Sequence, residues 1–192
     1  FLAPNSIVGC GIEMAPEAEW SGVKAKYELP DEYVLYLGRV SKAKVDKLLP
    51  YFLRCKAKYG GDAKLVLVGG FENEIRKFDS PDILFTGYVS DEEKTAIVRH
   101  ATVMVNPSPM ESLSLLMLEG MQSRIPLLVN GRSKVMKDHC RLSGAGLWYN
   151  NGRDFRKKLH RLLSDPELRR TMSEKGPAYV REHYDWEIII PK

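Results

Sequence analysis

The sequence predicts an α/β fold, a parallel sheet with helices on both faces. Two observations carry this. Short continuous apolar runs alternate along the chain with longer segments of helical periodicity. The runs are too uniformly apolar for a sheet with one wet face, so helices must cover both sides. A length of 192 residues suits one domain, expected over 31–192 and preceded by a linker or edge segment over 1–30. Residues 13–30 are rich in Pro, Glu and Lys and are expected as a surface excursion.

The elements follow in order. "YVLYLG" (33–38) is a buried strand. A helix is expected over 44–58, with Val45, Leu48, Leu49, Phe52 and Cys55 on one face. "KLVLVGG" is a second strand, ended by glycines, and "ILFTG" a third. "SDEEKTAIVRHA" is a helix, with Ser90 and Glu93 spaced as a capping box. "TVMVNP" is a fourth strand. A loop with two prolines leads from it into the apolar helix of "SLSLLMLEGMQS". "PLLV" and "GLWY" are the fifth and sixth strands. The tail over 151–183 reads as two helices, with Pro166 in a first turn after Ser164 or Asp165 as cap.

The formal net charge of +4 suits anionic small ligands or a membrane surface, and no basic-aromatic interleaving marks a nucleic-acid face. Cys10, Cys55 and Cys140 are odd in number and far apart, which gives neither a disulfide framework nor a metal site and points to a reducing cytoplasm. No apolar run reaches the roughly 18 residues of a membrane span, and no signal peptide is expected. The chain begins at Phe1 rather than Met, so a piece of a longer protein is expected. His100, His139, His160 and His183 show no metal spacing and fall in helical surface patterns, as structural residues. "GCGIEMAP" is not read as a nucleotide loop, because Pro16 and the acids beside it oppose a following helix.

In parallel α/β sheets ligands bind at the carboxyl ends of the strands. "GRVSKAK", "GYV" and "NPSPMES" all fall there. Arg39 and Lys44 would project where a phosphate sits, a planar fork beside a point charge. Glu111 and Glu119 lie eight positions apart, and Glu119 falls inside a helix that is apolar nearly all round. One reading pairs Glu119 with Arg124. The other uses length: eight residues of helix rise roughly 12 Å, comparable to the reach from a sugar across a diphosphate to a ribose. Free N–H groups at the helix start would then hold the diphosphate.

The order Gly38-Arg39…Lys44, Val68-Gly69-Gly70, Gly87-Tyr88-Val89, Pro107-Ser108-Pro109…Glu111…Glu119 and Asp185-Trp186 resembles the C-terminal, donor-binding domain of GT-B glycosyltransferases. The similarity is greatest to the retaining family 4, with its many mannosyltransferases, and covers about residues 33–187. It implies a Rossmann-like sheet forming half of a GT-B enzyme. It implies transfer of a hexose, mannose in the first instance, from a nucleoside diphosphate sugar to an acceptor hydroxyl. By this resemblance Arg39 and Lys44 bind the donor diphosphate. Glu111 holds sugar hydroxyls, Glu119 the ribose, and Gly87, Tyr88 and Val89 the base. Ser112, Leu113 and Ser114 stand beside the phosphates, where the family has small, Gly-rich residues. Arg39, Lys44 and Glu111 are the candidate catalytic residues. Arg124 falls where the family often has Gly, and Trp186 is expected as a core anchor.

The resemblance further implies GDP-mannose or a UDP-sugar as donor, no cofactor and no metal. It implies an N-terminal acceptor-binding domain beyond this chain and a cytoplasmic enzyme, with peripheral contact at the inner face of the membrane. A non-catalytic nucleotide-sugar-binding or partner module is the alternative. A GT-B-like epimerase fits the Arg…Lys and Glu…Glu pattern less well.

Overall fold

The computed structural model describes residues 10–72, 75 and 80–190. Residues 1–9 of the expected edge segment, and the last two of the expected domain, lie outside them. Among the described residues six strands form one all-parallel sheet: β1 (Tyr33–Leu37), β2 (Lys64–Val68), β3 (Ile83–Gly87), β4 (Val103–Asn106), β5 (Leu127–Asn130) and β6 (Gly146–Tyr149). Their order is β3-β2-β1-β4-β5-β6. The chain winds outward from β1 to β3, returns to place β4 beside β1, and winds outward again. The expected Rossmann-like fold is the one observed.

All five β1 residues are buried, as a central strand covered on both faces requires. Alternation sends them to two core layers. Leu35 and Leu37 join Val66 and Val68 under α1 (Trp20–Lys26), α4 (Asp91–Arg99), α5 (Leu115–Gln122) and α6 (Lys134–Ser143). Val34 and Tyr36 join Leu65 and Leu67 under α2 (Lys42–Val45), α3 (Leu48–Tyr59) and α7 (Gly152–Ser164). The long α8 (Pro166–Tyr184) bridges the two: Met172 enters the second layer, Tyr179 and Val180 the first.

The capping box of Ser90 and Glu93 is present, and Asp165 caps α8 with Pro166 at its first position. Four expectations are corrected. The helix expected over 44–58 is two helices, because Pro50 has no N–H for the Asp46 carbonyl and its ring blocks that carbonyl. The segment 13–30 holds α1, docked on α4 through Lys26 and Tyr27, which bond the Glu93 carboxylate at 2.6 and 2.8 Å. His139 is buried and bonded to the Tyr179 hydroxyl at 2.8 Å, not on a helix surface. Trp186 is 41% exposed at the start of the short α9 (Trp186–Ile189), where its ring lies against Gly11 rather than in the core.

Candidate functional site

The strand order reverses between β1 and β4, so their carboxyl ends diverge there and open a crevice. Its floor is backbone. Gly38 donates to the Val68 carbonyl at 3.0 Å and Val40 to that of Gly70 at 2.9 Å. Gly69, at φ +130°, lies so close that a Cβ there would stand 2.3 Å from the Gly38 oxygen. Only glycine permits this approach.

A cavity of about 290 Å³ fills the crevice, with Arg39, Lys44, Asn106, Glu111, Leu113 and Ser114 in its wall. Among the described residues the Arg39 side chain is anchored only at its far end, where its guanidinium lies 3.4 Å from Glu72; it is 77% exposed. Lys44, on α2, is exposed and makes no ion pair among the described residues. Glu111 is partly buried near Tyr36, whose phenol is pushed up to about 12 by burial and then by the Glu111 charge.

The loop carrying Glu111 is pinned by Asn106, the last residue of β4. Asn106 Nδ2 donates to Ser114 Oγ at 3.1 Å, and its Oδ1 accepts from the Ser108 N–H at 3.0 Å. Asn130, last in β5, holds the Pro107 carbonyl at 2.9 Å. The sequence pattern assigns neither asparagine a role; its one signal there is a polar residue closing each of two apolar strands. Ser114 is the N-cap of α5, but its hydroxyl makes no cap bond. The uncapped start of the helix therefore borders the cavity, which Leu115 and Leu116 also line.

A second cavity, about 650 Å³, opens on the other side of Arg39, under Tyr88 and beside Gly70, Phe71 and Gly87. Tyr88 is 86% exposed, and its hydroxyl would be 2.4 Å from a Cβ at Gly70. Gly38 and Arg39 line both cavities. Val89 instead packs on the first core layer, and Ser112 is exposed outside both cavities.

Glu119 departs from both sequence expectations about its surroundings. Helix α5 begins at Leu115, so residues 111–114 are loop and the distance from Glu111 is not eight residues of helical rise. Its partner is Lys94 of α4, with Nζ 3.3 Å from Oε1, and not Arg124. Arg124 is exposed with φ 64°, as the left-handed residue that closes α5. Oε2 of Glu119 is buried and has no hydrogen-bond partner among the described residues. A buried acceptor left unpaired costs about 1–3 kcal/mol.

A family model described as "Glycosyl transferases group 1" matches residues 22–179. The chain is 30% identical over 182 residues to alpha-D-kanosaminyltransferase of Streptomyces kanamyceticus, covering 88% of this chain and 46% of the relative. It thus spans about half the length of that enzyme. Sucrose-phosphate synthase of Thermosynechococcus elongatus has a similar fold, with a TM-score of 0.74 at 22% identity, covering 95% of this chain and 49% of that one. So has HepE of Anabaena, solved in complex with UDP and glucose, with a TM-score of 0.71 at 14% identity over 88% of this chain and 49% of that one. The family match takes in the crevice and every residue that borders it, and the chain belongs to the glycosyl transferases group 1 family.

Proposed function

We propose that this chain is the donor-binding half of a retaining glycosyltransferase that moves a hexose from a nucleoside diphosphate sugar to an acceptor hydroxyl. The reading is carried by one observation: Arg39, Lys44, Glu111 and the uncapped start of α5 share a cavity at the strand-order switch. Two cations and a helix N-terminus favour a diphosphate leaving group and the charge that develops on it. Glu111, an acceptor beside them, suits the sugar hydroxyls. The unpaired Oε2 of Glu119 suits a donor such as a ribose hydroxyl. The cavity under Tyr88 suits the base.

The catalytic roles rest with Arg39, Lys44 and Glu111, and the chemistry needs no metal. A second domain supplies the acceptor face, so this chain alone is expected to bind donor and transfer nothing. Mannose from GDP-mannose is the first donor in this reading, by the sequence resemblance. A UDP-sugar is the second, supported by the UDP and glucose of the HepE complex. Among the described residues no helix is long and apolar enough to cross a membrane. By the sequence resemblance, and not from that absence, we place the whole enzyme in the cytoplasm, with peripheral membrane contact.

Calorimetric titration with GDP, UDP, GDP-mannose and UDP-glucose tests the reading. One nucleotide series should bind, with the sugar nucleotide at least as tight as its diphosphate. No binding by any of the four would overturn it.

A further inference from the structure

Helices α3 and α7 pack side by side on the sheet face away from α4 and α5. A cavity of about 300 Å³ opens in their seam, lined by Tyr51, Arg54, Asn151, Gly152, Arg153 and Arg156. Three of its six walls are guanidinium groups, and none of the three makes a salt bridge or side-chain hydrogen bond among the described residues. Arg54 and Arg153 are exposed, as unpaired surface arginines often are. Arg156 differs. It is partly buried, and its Nε is shielded from water with no acceptor among the described residues. A guanidinium donor buried without an acceptor is unfavourable unless something else supplies one.

Among the described residues no acid pairs with any of the three arginines. Asp154, on the same helix, is engaged by Lys158 Nζ and by the Asn150 N–H, each at 3.0 Å. The ring of Tyr51 fixes the shape of the seam. It lies against the backbone of Gly152, where a Cβ would stand 2.5 Å from the ring. Tyr51 and Asn151 also line the neighbouring 460 Å³ cavity, which carries Lys44, Lys47 and Arg132 with Asp46 as its acid. Cations therefore continue from the β1–β4 crevice to the α3–α7 seam.

We propose that Arg54, Arg153 and Arg156 form a phosphate-binding site separate from the donor crevice, for a phosphomonoester or diphosphate group. Planar guanidinium forks suit tetrahedral oxyanions, which they can hold by paired hydrogen bonds. The group arrives either on a soluble molecule or on a lipid headgroup at a membrane surface. The site does not depend on the donor reading.

The test uses the Arg39→Ala/Lys44→Ala chain, whose donor crevice has lost both cations. Pyrophosphate is titrated by calorimetry, and sedimentation is measured with phosphatidylcholine vesicles with and without phosphatidic acid. Pyrophosphate binding supports the site with a soluble ligand. Sedimentation only with phosphatidic acid supports it with a headgroup. In either case adding Arg153→Gln and Arg156→Gln should weaken the interaction on the order of tenfold or more. Arg54→Gln, at an exposed position, should weaken it in the same direction with the fold intact by circular dichroism. Failure of both probes, or undiminished binding in the folded variants, overturns the proposal. Nucleotide binding by the unsubstituted chain is scored separately, so failure of the donor reading would show independently.

Discussion

Lys94 Nζ on α4 lies 3.3 Å from Glu119 Oε1 on α5, while Glu119 Oε2 is buried with no hydrogen-bond partner among the described residues. The carboxylate thus ties two helices together with one oxygen and leaves the other buried and unpaired. Glu119→Gln is expected to weaken GDP or UDP about as much as the corresponding sugar nucleotide, by on the order of tenfold. Glu111→Gln should weaken the sugar nucleotide and spare the plain diphosphate. Lys94→Met removes the helix tie, and with it the exposed pair of Lys94 with Asp91 at 3.4 Å, so it should lower Tm and disturb nucleotide affinity less than Glu119→Gln does. A folded Glu119→Gln with unchanged affinity for every nucleotide would reduce Glu119 to its tie with Lys94.

Arg39, in the turn after β1, and Lys44, on α2, both border the crevice. Arg39→Ala and Lys44→Ala should each weaken nucleoside diphosphate binding on the order of tenfold, because charge-assisted hydrogen bonds contribute about 1.5–3 kcal/mol. The nucleoside without phosphates should scarcely distinguish the variants. Glu72, 3.4 Å from the Arg39 guanidinium, would compete with a phosphate for it in the proposed reading. Glu72→Gln should therefore tighten diphosphate binding severalfold. Equal losses for nucleoside and diphosphate in the Arg39 and Lys44 variants would assign those side chains another role.

How far the sequence discloses this molecule depends on whether the signal is local. Apolar runs such as "YVLYL" announce strands because both sheet faces are dry, and the Ser90/Glu93 capping box closes within four residues. Helix α6 escapes the periodicity because two of its buried positions are polar. His139 is satisfied by Tyr179, and Ser143 by the His139 carbonyl at 2.7 Å. The partner of Glu119 escapes too. Arg124 is near in sequence, but the left-handed turn it occupies leaves it exposed, and Lys94 arrives from another helix. Arg39 and Lys44 fall on one crevice because the turn after β1 is short. Asn106 matters through a contact eight residues ahead, with Ser114, which no periodicity reports.

Arg124 closes α5 by two hydrogen bonds: its own N–H to the Met121 carbonyl at 3.1 Å, and the Ile125 N–H to that of Gly120 at 2.9 Å. This is a Schellman motif, whose pivotal residue is left-handed and usually glycine. Arg124 holds φ 64° with a side chain, which costs roughly 1–2 kcal/mol. Glycine removes that cost but gives back part of it through the entropy of the unfolded chain. Arg124→Gly should therefore stabilise the fold by about 0.5–1 kcal/mol, read as a rise in Tm or in denaturant midpoint. Arg124→Val should destabilise it, since a branched side chain tolerates that region worst. Nucleotide affinity should stay the same in both, as Arg124 does not line the crevice.

The docking of α1 on α4 should carry an acid-dependent part of the stability. Glu93 is held down to about 2 from an ordinary 4.5, first by Lys26, then by the Ser90 N–H, with a further bond from Tyr27. A carboxyl depressed by folding stabilises the native state above its unfolded value, and that contribution disappears as pH falls through the folded one. The loss should run from about pH 4.5 down to about pH 2. Glu93→Gln keeps an acceptor for the Ser90 N–H but removes the charge facing Lys26. At pH 7 the variant should melt below the parent. The two Tm curves should then converge as pH falls through this window. Since Lys26 is the main cause of the shift, Lys26→Met should flatten the parent's acid slope in the same range. Melting curves that stay parallel for parent and Glu93→Gln down to the acid limit would mean that the Glu93 charge does not hold α1 in place.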